Sequence, residues 1–213
     1  MSDALVQISN AVIEGRVKDI PGLTNTALSS GLTAKDILDK GLMPGMDVIG
    51  AEFKKGKKFV PEVLLSARTM QASLDILKPL LAQAGEKMAG KVIIGTVKGD
   101  LHDIGKSLVG MMLEGAGFEV VNLGKDVPPE KFVDAVKKEK PDIVAMSALL
   151  TTTMRSMGHT VTALKEAGLR ESVKIMIGGA PVTADFAKQI GADAYAANAP
   201  AAAELAKKLI NSN

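Results

Sequence analysis

The sequence predicts an N-terminal all-α helical bundle followed by a C-terminal α/β domain built on a doubly wound, five-stranded parallel sheet. Three observations carry this. Over residues 1–88 apolar side chains recur at three- and four-residue steps, the period of an amphipathic helix. From Lys91 onward, short apolar β-branched runs alternate with helical patterns, as in parallel strands joined by crossover helices. Between them, AGEKMAGK at 84–91 is small, polar and glycine-containing, and reads as a linker.

In the first region, helices are expected at 3–14, 18–30, 34–41, 44–55 and 61–82. Leu5, Ile8 and Val12 mark the first, and Leu64, Ala67, Met70, Leu74, Leu77 and Leu81 the last. Thr33 and Asp36 have the spacing of a capping box, with Asp in place of the usual Glu. Pro44 and Pro61 fall where a first helical turn accepts proline. Short connections suggest a four- or five-helix bundle.

In the second region, strands are expected at 91–97, 119–123, 142–148, 173–179 and 193–197. Helices are expected at 105–116, 129–139, 153–167, 183–190 and 200–211. The alternation is Rossmann- or flavodoxin-like. Such sheets bind ligands beyond the carboxyl ends of their strands, so the loops after strands one, three and four should carry the chemistry.

Composition excludes several classes. The 213 residues include 26 Lys+Arg and 24 Asp+Glu, two His, no Cys and no Trp. Without Cys there is no disulfide framework, iron–sulfur cluster or thiolate zinc site. With two His, a metal held by protein alone would have to lean on carboxylates. A formal charge of +2 argues against a nucleic-acid partner held by bulk electrostatics. Five Phe and one Tyr are too few for a base-stacking platform. The N-terminus lacks the pattern of a secretory signal, and no apolar run approaches the roughly 18 residues of a membrane span. A soluble, cytoplasmic protein is expected, with neither nucleic acid nor membrane as partner.

The loop after the first strand reads KGDLHDIG (98–105). It lacks both the G-x-G-x-x-G of dinucleotide sites and the P-loop pattern. Asp100 and Asp103 would repel a phosphate, so a cationic or metallic partner fits better. His102 could offer one ring nitrogen to a metal and donate the other N–H to Asp100, which fixes the tautomer. Taken alone, His102 with Asp100 nearby reads first as a structural or capping pair, and Asp103 could equally be a helix N-cap. Gly105 would let the following helix start close to a ligand. Ser147 and Leu149, then Thr151 to Thr153, follow the third strand, and Gly178-Gly179 follows the fourth.

Asp100-x-His102-x-x-Gly105, Ser147-x-Leu149 and Gly178-Gly179, each at the carboxyl end of a strand, resemble the signature of cobalamin-binding domains, and the intervals between them match. The sequence is similar to the corrinoid methyl-carrier proteins of methyltransferase systems and to the cobalamin-binding module of methionine synthase. The likeness covers nearly the whole chain. LMPGM (42–46), Phe53, FVPEV (59–63) and Ser66-Ala67-Arg68 match that family's helical cap.

The resemblance implies a domain of residues 1–88 as cap and 91–213 as cobalamin-binding domain, with 84–91 as hinge. It implies a cobalamin or related corrinoid bound base-off, with His102 as lower axial ligand of cobalt. Asp100 would bond the second ring nitrogen, and Thr153 would extend the relay. Gly99, Leu101, Asp103, Ile104 and Leu149 complete the loops around the cofactor. Ser147 and Thr151 would contact the detached nucleotide tail, and Gly178 and Gly179 would let it slide past the backbone. Phe53 and Val60 match cap positions over the methyl group, with Val at 60 where the methionine synthase module has Leu. The implied function is methyl shuttling. A substrate-specific methyltransferase would load the methyl group, a second methyltransferase would unload it to a thiol or tetrahydrofolate acceptor, and a reductive-activation protein would restore the cofactor. A proton taken up by the His–Asp pair would favour loss of ligation.

His159 reads as a surface histidine. Lys54, Lys55, Lys57 and Lys58 read as a solvated strip, with docking to an acidic partner as an alternative. The methionines read as core filler. Competing functions are a cobalamin-binding sensor or regulator, which would need a DNA-binding region, a cobalamin subunit of a larger enzyme, and a small non-cobalamin metal site.

Overall fold

The computed structural model describes residues 2–85 and 88–211. The chain divides into two compact units, one of residues 1–89 with 114–117, the other of 90–113 with 118–213. Of the expected linker, Glu86 and Lys87 lie outside the described residues.

The first unit is helical: α1 (Asp3–Glu14), α2 (Ile20–Ser29), α3 (Ala34–Ile37), α4 (Met43–Lys54) and α5 (Val60–Gln83). Leu5, Ile8 and Val12 of α1 are buried with Ile49 of α4 and Met70, Leu74 and Leu77 of α5. The crossing of α1 and α4 is close, because a Cβ on Gly45 would lie 2.9 Å from the Ser9 carbonyl oxygen. The capping box is present: Thr33 Oγ1 accepts from the Asp36 N–H at 3.0 Å, and Asp36 Oδ2 accepts from the Thr33 N–H at 3.3 Å.

One expectation fails here. The helices expected at 34–41 and 44–55 form a single run, joined by a π-helical turn over Leu38–Leu42. The Met43 N–H donates to the Leu38 carbonyl, five residues back. Pro44 follows at once and has no N–H to place, so it sits in the run without breaking it. Proline in a first turn and proline after a π-turn look alike in sequence.

The second unit contains β1 (Lys91–Val97), α6 (Ile104–Gly115), β2 (Glu119–Val127), α7 (Pro129–Glu139), β3 (Ile143–Ser147), α8 (Thr151–Glu166), β4 (Lys174–Gly178), α9 (Ala184–Ile190), β5 (Ala194–Ala196) and α10 (Ala199–Asn211). The five strands are parallel in the order β2-β1-β3-β4-β5. Ile93, Val144, Ile175 and Ile177 lie in a buried cluster with Phe132 of α7 and Met157 of α8. Burial on both faces is why these strands read as unbroken apolar runs.

The strand order reverses direction between β1 and β3. The chain leaves β1 toward β2 on one side and β3 toward β4 on the other, so the loops after β1 and β3 diverge and open a crevice. Strand β2 runs to Val127, four residues past its expected end. Its register with β1 slips twice, from Ile94↔Asn122 to Gly95↔Gly124 to Val97↔Val127. Two bulges thus carry β2 through Asn122-Leu-Gly-Lys-Asp126, a stretch whose composition reads as loop.

Candidate functional site

At the crevice, Asp100 is fully buried and its carboxylate accepts five hydrogen bonds. Its Oδ1 takes the His102 backbone N–H at 3.0 Å and the His102 ring Nδ1 at 2.7 Å. Its Oδ2 takes the N–H of Leu149 at 2.7 Å and of Leu150 at 3.2 Å, and the Thr153 hydroxyl at 2.7 Å. Burial pushes the carboxyl up, but the backbone N–H groups of His102 and Leu149, the Thr153 hydroxyl and the His102 ring outweigh it. The group is held well below the usual carboxylate range. An ionised carboxylate only accepts, so Nδ1 carries the hydrogen and Nε2 is the ring's remaining lone pair.

The rest of His102 faces outward, its side chain 51% exposed. The Thr96 hydroxyl donates to its carbonyl at 3.0 Å and fixes the backbone. Close to it in the chain or on the loop that holds Asp100, Leu101 in the loop after β1, Ile104 at the start of α6, and Leu149 and Leu150 after β3 are each between 42% and 72% exposed. Four large apolar side chains bared around one imidazole form a surface suited to an apolar face. Gly105 lies in the first turn of α6, and a Cβ there would meet no atom within 4 Å. Alanine would favour the helix by about 1 kcal/mol, so the protein alone gives no reason for glycine. Nε2, the bared leucines and isoleucine, and the open Gly105 together fit a broad, largely apolar group ligated by one nitrogen.

Ser147 ends β3 and is half-buried, while Thr151 opens α8 and is exposed. Gly99 and Asp103 belong to the loop after β1. Gly178 ends β4, and Gly179 follows at φ 133. A Cβ on Gly179 would lie 1.8 Å from the Ala148 carbonyl oxygen, and one on Gly178 would lie 2.9 Å from the Ala196 carbonyl oxygen. The chain itself therefore demands both glycines, because the ends of β3, β4 and β5 approach backbone to backbone. Phe53 in α4 and Val60 at the start of α5 belong to the other unit, and both are half-buried. His159 is exposed on α8. Among the described residues no group of three or more His, Cys, Asp or Glu could hold a metal ion, and no helix is long and apolar enough to cross a membrane.

A family described as "B12 binding domain" matches residues 90–206, and a second with the same description matches residues 4–78. The chain is 43% identical over 210 residues to "Dimethylamine corrinoid protein 1" of Methanosarcina acetivorans, covering 98% of each. The chain belongs to the B12-binding corrinoid proteins. It is also 46% identical over 175 residues to "Trimethylamine corrinoid protein 1" of the same organism, covering 81% of each. Among solved structures it resembles the "methanol:cobalamin methyltransferase complex MtaBC from Methanosarcina barkeri", with TM-score 0.89, 34% identity, and coverage of 100% of this chain and 82% of that one.

Several residues of this corrinoid protein's site escaped the sequence reading. The backbone N–H of Leu149 holds Asp100 at the same 2.7 Å as the Thr153 hydroxyl, and that of Leu150 adds a longer bond at 3.2 Å. Leu150 joins the exposed apolar set. Lys106 is buried, and its ammonium donates to Asn122 Oδ1 at 2.8 Å and the Gly124 carbonyl at 3.1 Å. Burial pushes that ammonium's pKa down. Asp126 accepts from the Gly99 N–H at 2.7 Å. A lysine in the first turn of a helix and an aspartate before Val-Pro carry no signal of such pairings.

Proposed function

We propose that this protein carries a methyl group on a corrinoid between methyltransferases, with His102 as the protein ligand of cobalt. The observation that carries the reading is the buried Asp100 carboxylate on His102 Nδ1, which turns Nε2 outward amid exposed apolar side chains. When bound, the corrinoid supplies a cobalt centre able to accept and give up a methyl group.

The chain's residues do the rest. Asp100 fixes the ring's tautomer and orientation. With five donors on the carboxylate, a proton entering the pair rests on the imidazole rather than on Asp100. That sharpens the expected linkage, because protonation of Nε2 removes the lone pair a metal needs. Leu101, Ile104, Leu149 and Leu150 supply the apolar contact, and bare Gly105 allows close approach. Ser147 and Thr151 would contact the nucleotide tail. Phe53 and Val60 would be the residues that shield the methyl group, as the family likeness implies.

The partners are a substrate-specific methyltransferase, a second methyltransferase that passes the methyl group to a thiol or tetrahydrofolate acceptor, and a reductive-activation protein. A methylamine is the favoured source of the methyl group, supported by the relatives named above. The setting is the cytoplasm. The test is direct: purified protein mixed with hydroxocobalamin should acquire the visible spectrum of base-off, His-ligated corrinoid, and His102→Ala should lose that ligation. A wild-type protein that stays colourless in excess corrinoid overturns the proposal.

A further inference from the structure

We propose that Asp126, at the end of β2, is a positioning residue for His102. The inference rests on His102 being the cobalt ligand. Asp126 and the loop after β1 hold each other reciprocally across 27 positions of sequence. Asp126 Oδ1 accepts from the Gly99 N–H at 2.7 Å, and the Asp126 N–H donates to the Asp100 carbonyl at 3.0 Å. The turn that presents Asp100, and through it the His102 ring, is thus closed from outside by one residue.

Two further observations mark Asp126 as placed for this. Its φ is 54, and only one other described non-glycine residue, Lys140, has positive φ. Lys140 is the αL residue that ends α7, an ordinary helix terminus. Asp126 sits in no such terminus, and its conformation costs energy that its two hydrogen bonds offset. The bulges of β2 also put it there. Lys106 pins those bulges through Asn122 Oδ1 and the Gly124 carbonyl, and Asn122 Oδ1 in turn accepts the Gly124 N–H at 3.0 Å. Lys106 belongs to α6, which begins two residues after His102. The segment 98–106 is therefore gripped at its start by Asp126 and at its end through Lys106.

Three substitutions separate the acceptor from the backbone strain. Asp126→Asn keeps an acceptor oxygen and tolerates the left-handed conformation. Asp126→Gly keeps the conformation and loses the acceptor, and Asp126→Ala loses both. In unliganded protein, amide hydrogen exchange at Gly99 should accelerate roughly ten- to a hundredfold in the Gly and Ala variants and stay near wild type in Asn. After loading with hydroxocobalamin, the Gly and Ala variants should give a smaller His-ligated fraction in the visible spectrum, and Asn should restore it. Asp126→Gly, which relieves the strain, keeps the test open should Asp126→Ala fold poorly. A Gly variant matching wild type in both readouts overturns the proposal, as does faster Gly99 exchange with an unchanged spectrum. If wild type itself never gives the His-ligated spectrum, the reading of His102 falls and the proposal with it. If wild type gives it and the Gly and Ala variants do too, the proposal alone falls.

Discussion

Asp100 meets His102 twice with the same oxygen, Oδ1, through the backbone N–H at 3.0 Å and the ring Nδ1 at 2.7 Å. Its other oxygen is committed to the loop after β3. A ring held at both its root and its edge by one atom has little freedom to turn.

Asp100→Asn tests what that carboxylate contributes. The amide N–H2 would have to face backbone N–H donors on one side or the other, leaving buried groups unsatisfied. The variant should be less stable by about 1–3 kcal/mol at pH 7, read from urea unfolding. Corrinoid taken up should show weaker His ligation.

The same variant predicts a pH dependence. The folded-state pKa of Asp100 is held below its unfolded value, near 4. Its contribution to stability is therefore complete above about pH 4–5 and is lost as pH falls through the folded pKa. The stability gap between wild type and Asp100→Asn should hold from pH 7 to pH 5 and narrow below pH 4. A gap that stays constant to pH 3 would contradict the assignment.

Thr153→Val removes one donor from Asp100 and keeps the side chain's shape. A loss of about 1–2 kcal/mol is expected, with recovery in Thr153→Ser, again from urea unfolding. Four donors remain on the carboxylate, so a His-ligated spectrum should persist.

Gly105→Ala and Gly179→Ala should diverge. A methyl on Gly105 meets nothing, so the unliganded protein should hold or gain up to about 1 kcal/mol, while hydroxocobalamin affinity measured by spectral titration should fall. A methyl on Gly179 collides with the Ala148 carbonyl at φ 133. Beyond the collision, the conformation alone should cost about 1–3 kcal/mol in thermal or urea unfolding with no corrinoid present.

The fold was readable because its period changes at Lys91 and because buried parallel strands are apolar throughout. The hydrogen bond between Asp100 and His102 was readable from their spacing in the loop after β1, and that between Asp100 and Thr153 from the family likeness. Asp126, Asn122 and Lys106 were not, because their pairings depend on bulges that shift β2 against β1, and register leaves no trace in composition. The Leu149 and Leu150 N–H groups were invisible for a simpler reason: any residue but proline brings one. The run from α3 through α4 was misread because Pro44 follows a π-turn.

The split of the Asp100 carboxylate between two loops also sets a mechanical property. Oδ1 is tied to the loop after β1 and Oδ2 to the start of α8, so the imidazole rides on a mount bolted to two adjacent strands of the sheet. Drawing Nε2 forward or back requires both strand ends to yield together. Such a mount restrains the imidazole from two loops at once, so a shift in either loop alone is resisted by the hydrogen bonds to the other.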